Sequence, residues 1–460
     1  MMETILQALS KALPPEAILN SVSDRTAYSA DKSPEKPPLA SVVVIPYTEE
    51  QVQAVILIAN THNIPIVPRG TGTGTTGGAV AIQDAITLSF ERLNKILEID
   101  TANRIAVVEP GVLTGDLQKA VEAQGLFYPP DPASLAICTL GGNVAENAGG
   151  PRGLKYGVTR DYVLGLEGYW ADGTKFKLGG KQYKNVAGYD LIRLLVGSEG
   201  TLGVITTIYL KLLPLPLYRR DLLVCFDKTQ QAVRWLSQVH QLDVIPATAE
   251  LMDDECVKAA SAFLGLPAPF KSAGAYVLLS LDGSHEEILE KEIKAISDLC
   301  VQSGALQVEV ASNSEEQAKL WQIRQAISPA LKRVGGEKLS HDIVVPPSRM
   351  GEYFEALKKI SDESGFKLIG YGHLGDGNIH VNILKLTHSA TQWETHKQSL
   401  SEQVLQAAVD LGGTLTGEHG IGLTKKAYLS MVFSPQDIAL LKGIKQVFDP
   451  RGILNPGKIV

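Results

Sequence analysis

The stretch Pro68 to Gly78, PRGTGTGTTGG, limits what this chain can fold into more than any other. It follows an apolar run at Ile64 to Val67, and Gly72-x-Gly74-x-x-Gly77 matches the dinucleotide-binding fingerprint. That fingerprint also requires a long helix directly after the loop, to aim its N-terminus at a pyrophosphate. Only a few residues separate Gly78 from the turn at Gln83-Asp84, too few for such a helix. A nicotinamide Rossmann site is therefore a poor match. A glycine-rich surface hairpin is a second reading. A loop whose exposed backbone N–H groups nest an anion without a helix fits best.

Around this loop the chain reads as β-α-β. The N-terminal stretch MMETILQALSKALPPEAIL is a short amphipathic helix, and Asp31 to Pro38 (DKSPEKPP) is a loop. Ser41 to Pro46 is a β-branched strand. Thr48, with Gln51 three residues later and Glu49 and Glu50 in the first turn, predicts a capped helix to His62. Val52, Val55, Ile56 and Ala59 follow at helical spacing, and a strand over Ile64–Val67 enters the glycine loop. Further strands are expected at Ala85–Phe90, Ile105–Glu109 and Val163–Trp170, with a helix at Gly115–Gln124. PPDPAS (Pro129 to Ser134) interrupts all regular structure. Pro214 and Pro216 mark the clearest boundary. Beyond it, strands at Asp221–Phe226 and Ala275–Leu281 alternate with helices at Thr229–His240 and Glu286–Gly304. The tail FDPRGILNPGKIV reads as a compact turn that packs back on the body.

Composition removes several classes. Lys and Arg total 43 against 50 Asp and Glu, a net charge of −7 over 460 residues, which argues against a nucleic-acid surface. With 44% hydrophobic and 20% charged residues the chain is neither disordered nor fibrous. Cys138, Cys225, Cys256 and Cys300 form no CxxC pair, so an internal iron–sulfur cluster or cysteine zinc site is not expected. Scattered thiols suit a reducing compartment. Neither a signal-peptide h-region nor an apolar run of about 18 residues occurs. A cytoplasmic location is expected, with a peripheral position at the inner face of a membrane left open.

PRGTGTGTTGG, then DPASLAICTLGGNVAENAGGPRGLKYGVTRDYVLGLE, then GSEGTLGVITTIYLKLLP, in this order and spacing, resembles the FAD-binding half of the FAD-linked oxidases of the vanillyl-alcohol oxidase type. Within that superfamily the chain is most similar to D-lactate dehydrogenases and the catalytic subunit of glycolate dehydrogenase. The resemblance covers residues from about 35 to the end. It implies an α+β fold: a two-subdomain PCMH-type FAD-binding domain over 38–216, after an N-terminal helical segment 1–37. An α+β substrate (cap) domain with an antiparallel sheet would follow over 217–415, and 416–460 would return to the FAD domain. The loop Gly70, Thr71, Gly72, Thr73, Gly74 and Gly77, entered from Arg69, would cradle the FAD pyrophosphate. Pro132, Ser134, Gly141, Gly142, Asn143, Asn147, Gly149 and Gly150, with Tyr156 and Gly157, would close around the flavin and adenine, as would Glu199, Gly200, Gly203, Ile205 and Asn455. Glycines allow close backbone approach, and the Thr, Ser and Asn side chains are donors for phosphate or flavin edges. Some relatives link the flavin covalently to a histidine in the first loop. No histidine lies between His62 and His240, so non-covalent FAD is expected.

The segment YGHLGDGNIHVNI, Tyr371 to Ile383, carries the chemistry. Its last residues alternate, so a strand should place His380 and Asn382 on one face, and Gly375 and Gly377 can turn His373 back to the same side. Three of the nine histidines fall here and in GGTLTGEHGIG, Gly412 to Gly422. His373, His380 and Glu418 form a His₂–carboxylate set suited to Zn²⁺, Mn²⁺ or Fe²⁺. A glycine-flanked histidine bonded to backbone is the plain alternative for each one alone. The resemblance implies that these three hold a divalent metal, that His419 is the catalytic base, and that Asn382 contacts substrate. It also puts Arg324, in the helical WQIR segment, on the substrate carboxylate, where a fork of donors suits two oxygens. Lys338 is a candidate second cation. Some relatives have a lysine two positions before Asp342, where this chain has Ser340.

The parts imply a dehydrogenase. A small 2-hydroxy acid, with D-lactate or glycolate leading, would bind the metal, lose its hydroxyl proton to His419 and pass a hydride to flavin N5. With no cysteine cluster in the chain, a quinone, a cytochrome or an iron–sulfur partner subunit would take the electrons, and a homodimer is left open. Three other readings have distinct signatures. A non-catalytic flavin-binding subunit should lack the His/His/Glu/His set. An enoyl-sugar-nucleotide reductase should lack HLGDGNIH. A dehydrogenase for a longer acid such as D-2-hydroxyglutarate would keep both.

Overall fold

The computed structural model describes residues 2–270, 272–311 and 313–460. Met1, which the sequence reading includes in the first helix, lies outside them. The chain forms two compact units, one of residues 1–149, 158–215 and 418–460, the other of 150–157 and 216–417. The short stretch 150–157 thus groups with the second unit, although the sequence reading leaves it inside 38–216. The reason is visible in its contacts: Lys155 donates to the carbonyl of Asp282 (2.7 Å), and Lys155 and Tyr156 both donate to the Asp282 carboxylate.

The first unit contains two layered sheets. In the four-stranded one the order is Ile18–Leu19, Val42–Val44, Ile86–Ser89, Ile66–Arg69, the last three parallel. Ile86–Ser89 is buried at every position, as a central parallel strand requires. Helix Met2–Ala12 buries Ile5 and Leu9, one turn apart, in the same core. Helix Glu49–His62 is capped by the Thr48 hydroxyl on the Gln51 N–H (3.4 Å) and ends at Asn63 in left-handed backbone. The Gln51 side chain returns to the N–H of Tyr47 (2.7 Å), one residue before the cap. The strand expected at Ile64–Val67 begins two residues later, at Ile66. Ile64 still donates to Ala59 as part of the helix exit, and Pro65 has no N–H to offer a sheet.

The second sheet of this unit is antiparallel, ordered Ile96–Asp100, Ile105–Val108, Val204–Lys211, Val163–Tyr169, Lys175–Gly179. Val204–Lys211 alternates buried and half-buried residues along its whole length. Ile96–Asp100 was not expected from the sequence. It is an edge strand with little burial, finished by Lys181 on Glu98 (2.5 Å) and Asp100 (2.9 Å). The tail does pack back: Ile453 and Leu454 are buried in the core with Ile66, and Ile66 donates to the Ile453 carbonyl (2.7 Å).

The second unit is built on a seven-stranded antiparallel sheet. Its order is Gln307–Ala311, Tyr218–Phe226, Ala275–Gly283, Thr248–Asp253, Lys367–His373, Asn378–Leu384, Lys338–Val344. One face packs on helices Asp254–Leu264 and Ser314–Gly335 through Leu223, Tyr276, Leu278, Met252, Cys256, Ile327 and Ala330. The other meets helices Thr229–Val239 and Glu286–Gln302, where the Trp235 ring lies 5.5 Å from that of Phe226, tilted by 48°. Helices Met350–Ser364 and Ala390–Asp410 extend this layer.

Candidate active site

In the first unit, strand Ile66–Arg69 delivers the chain into Gly70–Gly78, and no helix follows before strand Ile86–Ser89. From Gly70 to Gly78 no backbone N–H donates a hydrogen bond to any described residue. Such a row of unengaged donors fits an anion such as a pyrophosphate. The Thr71 hydroxyl donates to the Ile137 carbonyl (2.6 Å), tying the loop to the Pro132–Cys138 turn. A Cβ at Gly70 would collide with the Thr139 hydroxyl, which caps helix Leu140–Glu146 at Gly142 (3.3 Å). Only glycine lets those two segments meet.

Several side chains read as cofactor contacts are engaged within the unit. The Arg69 guanidinium turns back on the Ala79 carbonyl (3.1 Å). Asn143 donates to the Thr114 hydroxyl (2.7 Å), and Asn147, left-handed at the end of helix Leu140–Glu146, accepts from the Arg160 N–H (2.9 Å). Asn455 donates to the carbonyls of Gly78 (2.9 Å) and Glu199 (2.7 Å). Its Oδ1 is buried with no hydrogen-bond partner among the described residues. Gly150, Tyr156 and Gly157 belong to the second unit. Thr73, Gly74, Gly141, Gly142 and Gly149 stay beside the loop or on helix Leu140–Glu146, while Gly200, Gly203 and Ile205 lead into strand Val204–Lys211.

Glu418 and His419 also lie in the first unit, on the turn before Gly420-Ile421-Gly422. Their side chains approach to 3.8 Å, and Thr76 donates to the His419 carbonyl (3.0 Å). Beneath the turn sit two buried carboxyls. Glu199 accepts from the N–H groups of Ile421 (2.7 Å) and Gly422 (2.8 Å). Burial, opposed by those N–H groups, pushes it up to about 7. Burial and the neighbouring Glu199 charge push Glu146 well above the usual carboxyl range. The sequence offered a sign of Glu146 only in its being the one charge inside GGNVAENAGG.

In the second unit the strand register brings a polar stripe onto the face beneath helices Asp254–Leu264 and Ser314–Gly335. Glu250 lies opposite His373, Tyr371 opposite His380, His380 opposite Asp342, and Asn382 opposite Ser340. His373 and His380 therefore share a face, as the alternation and the intervening glycine turn predict. Their rings are 5.2 Å apart and nearly perpendicular. His373 Nδ1 is 2.5 Å from Glu250 Oε1, and His380 Nδ1 is 3.5 Å from Asp342 Oδ1. The buried Glu250 carboxylate behind His373 is the arrangement that metal-binding histidines take, and the imidazole and carboxylate donors present suit a divalent metal. Asp342 is itself held by Gly417 N–H (2.9 Å), Thr416 (3.1 Å) and Asn378 (2.6 Å).

Arg324 reaches this stripe from helix Ser314–Gly335. It donates from Nε to Glu250 Oε2 (2.6 Å) and lies 4.9 Å from the Tyr371 ring centroid. Burial acts against the Glu250 charge, yet Arg324 and His373 together hold it down to about 2. Lys338 donates to Asn382 Oδ1 (2.6 Å), where Ser340 also donates (2.9 Å), and burial brings Lys338 down to about 8. Glu250 and Asp342 were not among the residues singled out from the sequence. Their signal was there: Glu250 is an acid between apolar neighbours in TAELMD, and Asp342 is the one acid in HDIVVP.

The comparisons with known proteins agree with this geometry. Residues 40–179 match the family described as FAD binding domain, and residues 215–459 match FAD linked oxidases, C-terminal domain. The chain is 40% identical to the glycolate oxidase subunit GlcD of Bacillus subtilis, over 97% of this chain and 94% of that protein. It is 36% identical to a D-lactate dehydrogenase of Anaerostipes hadrus, over 91% and 89% respectively. The fold is that of p-cresol methylhydroxylase with substrate bound, with a TM-score of 0.81 at 18% identity, covering 99% of this chain and 96% of that one. The chain thus belongs to the FAD-linked oxidases and is an FAD-dependent oxidoreductase of PCMH-type fold.

Proposed function

We propose that the protein is a dehydrogenase of short 2-hydroxy acids, with D-lactate and glycolate the leading substrates and a non-NAD electron acceptor. The observation that carries this is the polar stripe of His373, His380 and Asn382 on one sheet face, joined by Arg324 from the helix above, with the Glu250 carboxylate bonded to both Arg324 and His373. The names of the relatives, a glycolate oxidase subunit and a D-lactate dehydrogenase, support the same class.

Bound FAD would accept the Cα hydrogen, and a divalent metal held by His373 and His380 would acidify the substrate hydroxyl. Arg324 orients the substrate through its carboxylate. Glu250 takes the Nε and Nη2 side of its guanidinium, so the Nη1 side faces substrate. His419 takes the hydroxyl proton on its imidazole. Asn382, braced at Oδ1 by Lys338 and Ser340, holds the substrate against rotation. Electrons leave to a quinone, a cytochrome or an iron–sulfur partner, since the four cysteines are separate buried thiols. Among the described residues no helix is long and apolar enough to cross a membrane.

A second reading, a longer acid with a second carboxylate, is favoured by the half-buried Lys338 ammonium on the same face. One experiment tests both. The purified yellow protein is mixed anaerobically with glycolate, D-lactate, L-lactate and D-2-hydroxyglutarate while the visible flavin band is followed. Fastest bleaching by glycolate or D-lactate supports the first reading, and by D-2-hydroxyglutarate the second. If none of them bleaches the flavin, the chain is a non-catalytic subunit and the proposal is wrong.

A further inference from the structure

Glu250 sits on the strand Thr248–Asp253, is wholly buried, and splits its two oxygens between different partners. Oε1 meets His373 Nδ1 at 2.5 Å, and Oε2 accepts from Arg324 at 2.6 Å. We propose that Glu250 is a positioning residue that couples the carboxylate-binding arginine to the metal-binding histidine, so that one buried side chain sets both sites. This deepens the reading above and rests on it.

The physical argument concerns where the His373 proton sits. An ionised Glu250 can only accept, so His373 must carry its proton on Nδ1, which makes Nε2 the coordinating nitrogen. Nε and Nη2 of Arg324 both lie 2.6 Å from Oε2, a fork of donors that a carboxylate accepts. A protonated or amide side chain at 250 would instead donate to Nδ1. The histidine proton would then move to Nε2, and that nitrogen could no longer bind a metal. The cross-strand pairing of Glu250 with His373 fixes this contact in the sheet, while Arg324 arrives from a helix. The arginine thus reports to the metal site through a carboxylate, without being a ligand itself.

The test is Zn²⁺ titration of the chelator-stripped, FAD-loaded protein against a competing chromophoric chelator, with no substrate present. Glu250→Gln is expected to weaken Zn²⁺ binding roughly 10–100-fold, the usual cost of losing the group behind a ligating histidine. The flavin spectrum should be unchanged. Arg324→Lys, which keeps the charge but loses the fork, should weaken Zn²⁺ several-fold, although a lysine there would touch no ligand; it carries the test if Glu250→Gln does not fold. A merely structural role would lower the melting temperature and leave Zn²⁺ affinity alone. Wild-type affinity in folded variants overturns the coupling while the metal reading stands. No Zn²⁺ binding by the wild type overturns the metal reading and the coupling with it.

Discussion

The carboxylate of Glu199 accepts the backbone N–H of Ile421 at 2.7 Å, across 222 residues of sequence. Its other oxygen takes Gly422 at 2.8 Å. The GSEG turn before strand Val204–Lys211 therefore holds the GEHGIG turn that carries Glu418 and His419. A segment far away in sequence is fixed by two hydrogen bonds to one buried carboxyl.

Gly420 is the weak point of that joint. Its φ is +79°, and a Cβ there would run into the carboxylates of Glu146 and Glu199. Gly420→Ala should cost at least about 1–2 kcal/mol from backbone conformation alone. The flavin should stay bound while its reduction slows, because the displaced turn carries the proposed base. Unaltered flavin reduction in stopped flow would show that the turn does not position it.

The two carboxyls also set a pH dependence. Glu199 is raised to about 7, mainly by burial, and Glu146 is raised as well, by burial and then by Glu199. The folded state therefore holds protons that the unfolded chain releases near pH 4.5. Stability from these groups is full below that pH and is lost as the pH rises through about 7. Each retained proton contributes a slope of about 1.4 kcal/mol per pH unit in that window. Glu146→Gln, neutral throughout, should melt with a shallower decline between about pH 5 and pH 8. Parallel melting curves for variant and wild type would mean that Glu146 is already ionised in the native protein.

FAD should come off without covalent attachment. The cradle supplies backbone donors, and no histidine lies between His62 and His240 to link to it. Acid precipitation should leave all the yellow colour in the supernatant. Colour retained on the pellet would refute this.

Arg324→Lys and His419→Asn should fail differently. The substrate carboxylate is equally charged in ground and transition states, so weakening its hold removes uniform binding. Arg324→Lys should mainly raise KM, with about 1.5–3 kcal/mol of ligand affinity lost. His419 acts only as the proton moves, so His419→Asn should lower kcat by roughly 10²–10⁴-fold with KM little changed. Flavin reduction by D-lactate in stopped flow separates the two, because it does not depend on the acceptor. A His419→Asn protein that reduces its flavin at the wild-type rate would assign the base elsewhere.

Much of this was readable along the chain. The glycine loop, the missing helix after it, the Pro214–Pro216 boundary and the shared face of His373 and His380 all follow from local rules. Period-two alternation, helix capping and proline chemistry act within a few residues, so sequence alone determines them. The edge strand Ile96–Asp100 escaped because the adjacent apolar pair Ile96 and Leu97, at an irregular register, breaks the alternation that marks a strand.

Partnership is what the tertiary structure decided. Arg324 could be read as a donor for a carboxylate, but only the packing of helix Ser314–Gly335 on the sheet shows that Glu250 already takes one side of it. Asn455, Asn143 and Glu199 were read as cofactor contacts, yet each makes internal bonds to segments remote in sequence. Residues 150–157 leave the flavin unit for the same reason, drawn by Asp282. A buried polar group must find a partner, and which one it finds depends on what folding brings within about 3 Å. Sequence therefore determined the donors and acceptors and the local elements that carry them; only the fold decided which donor met which acceptor.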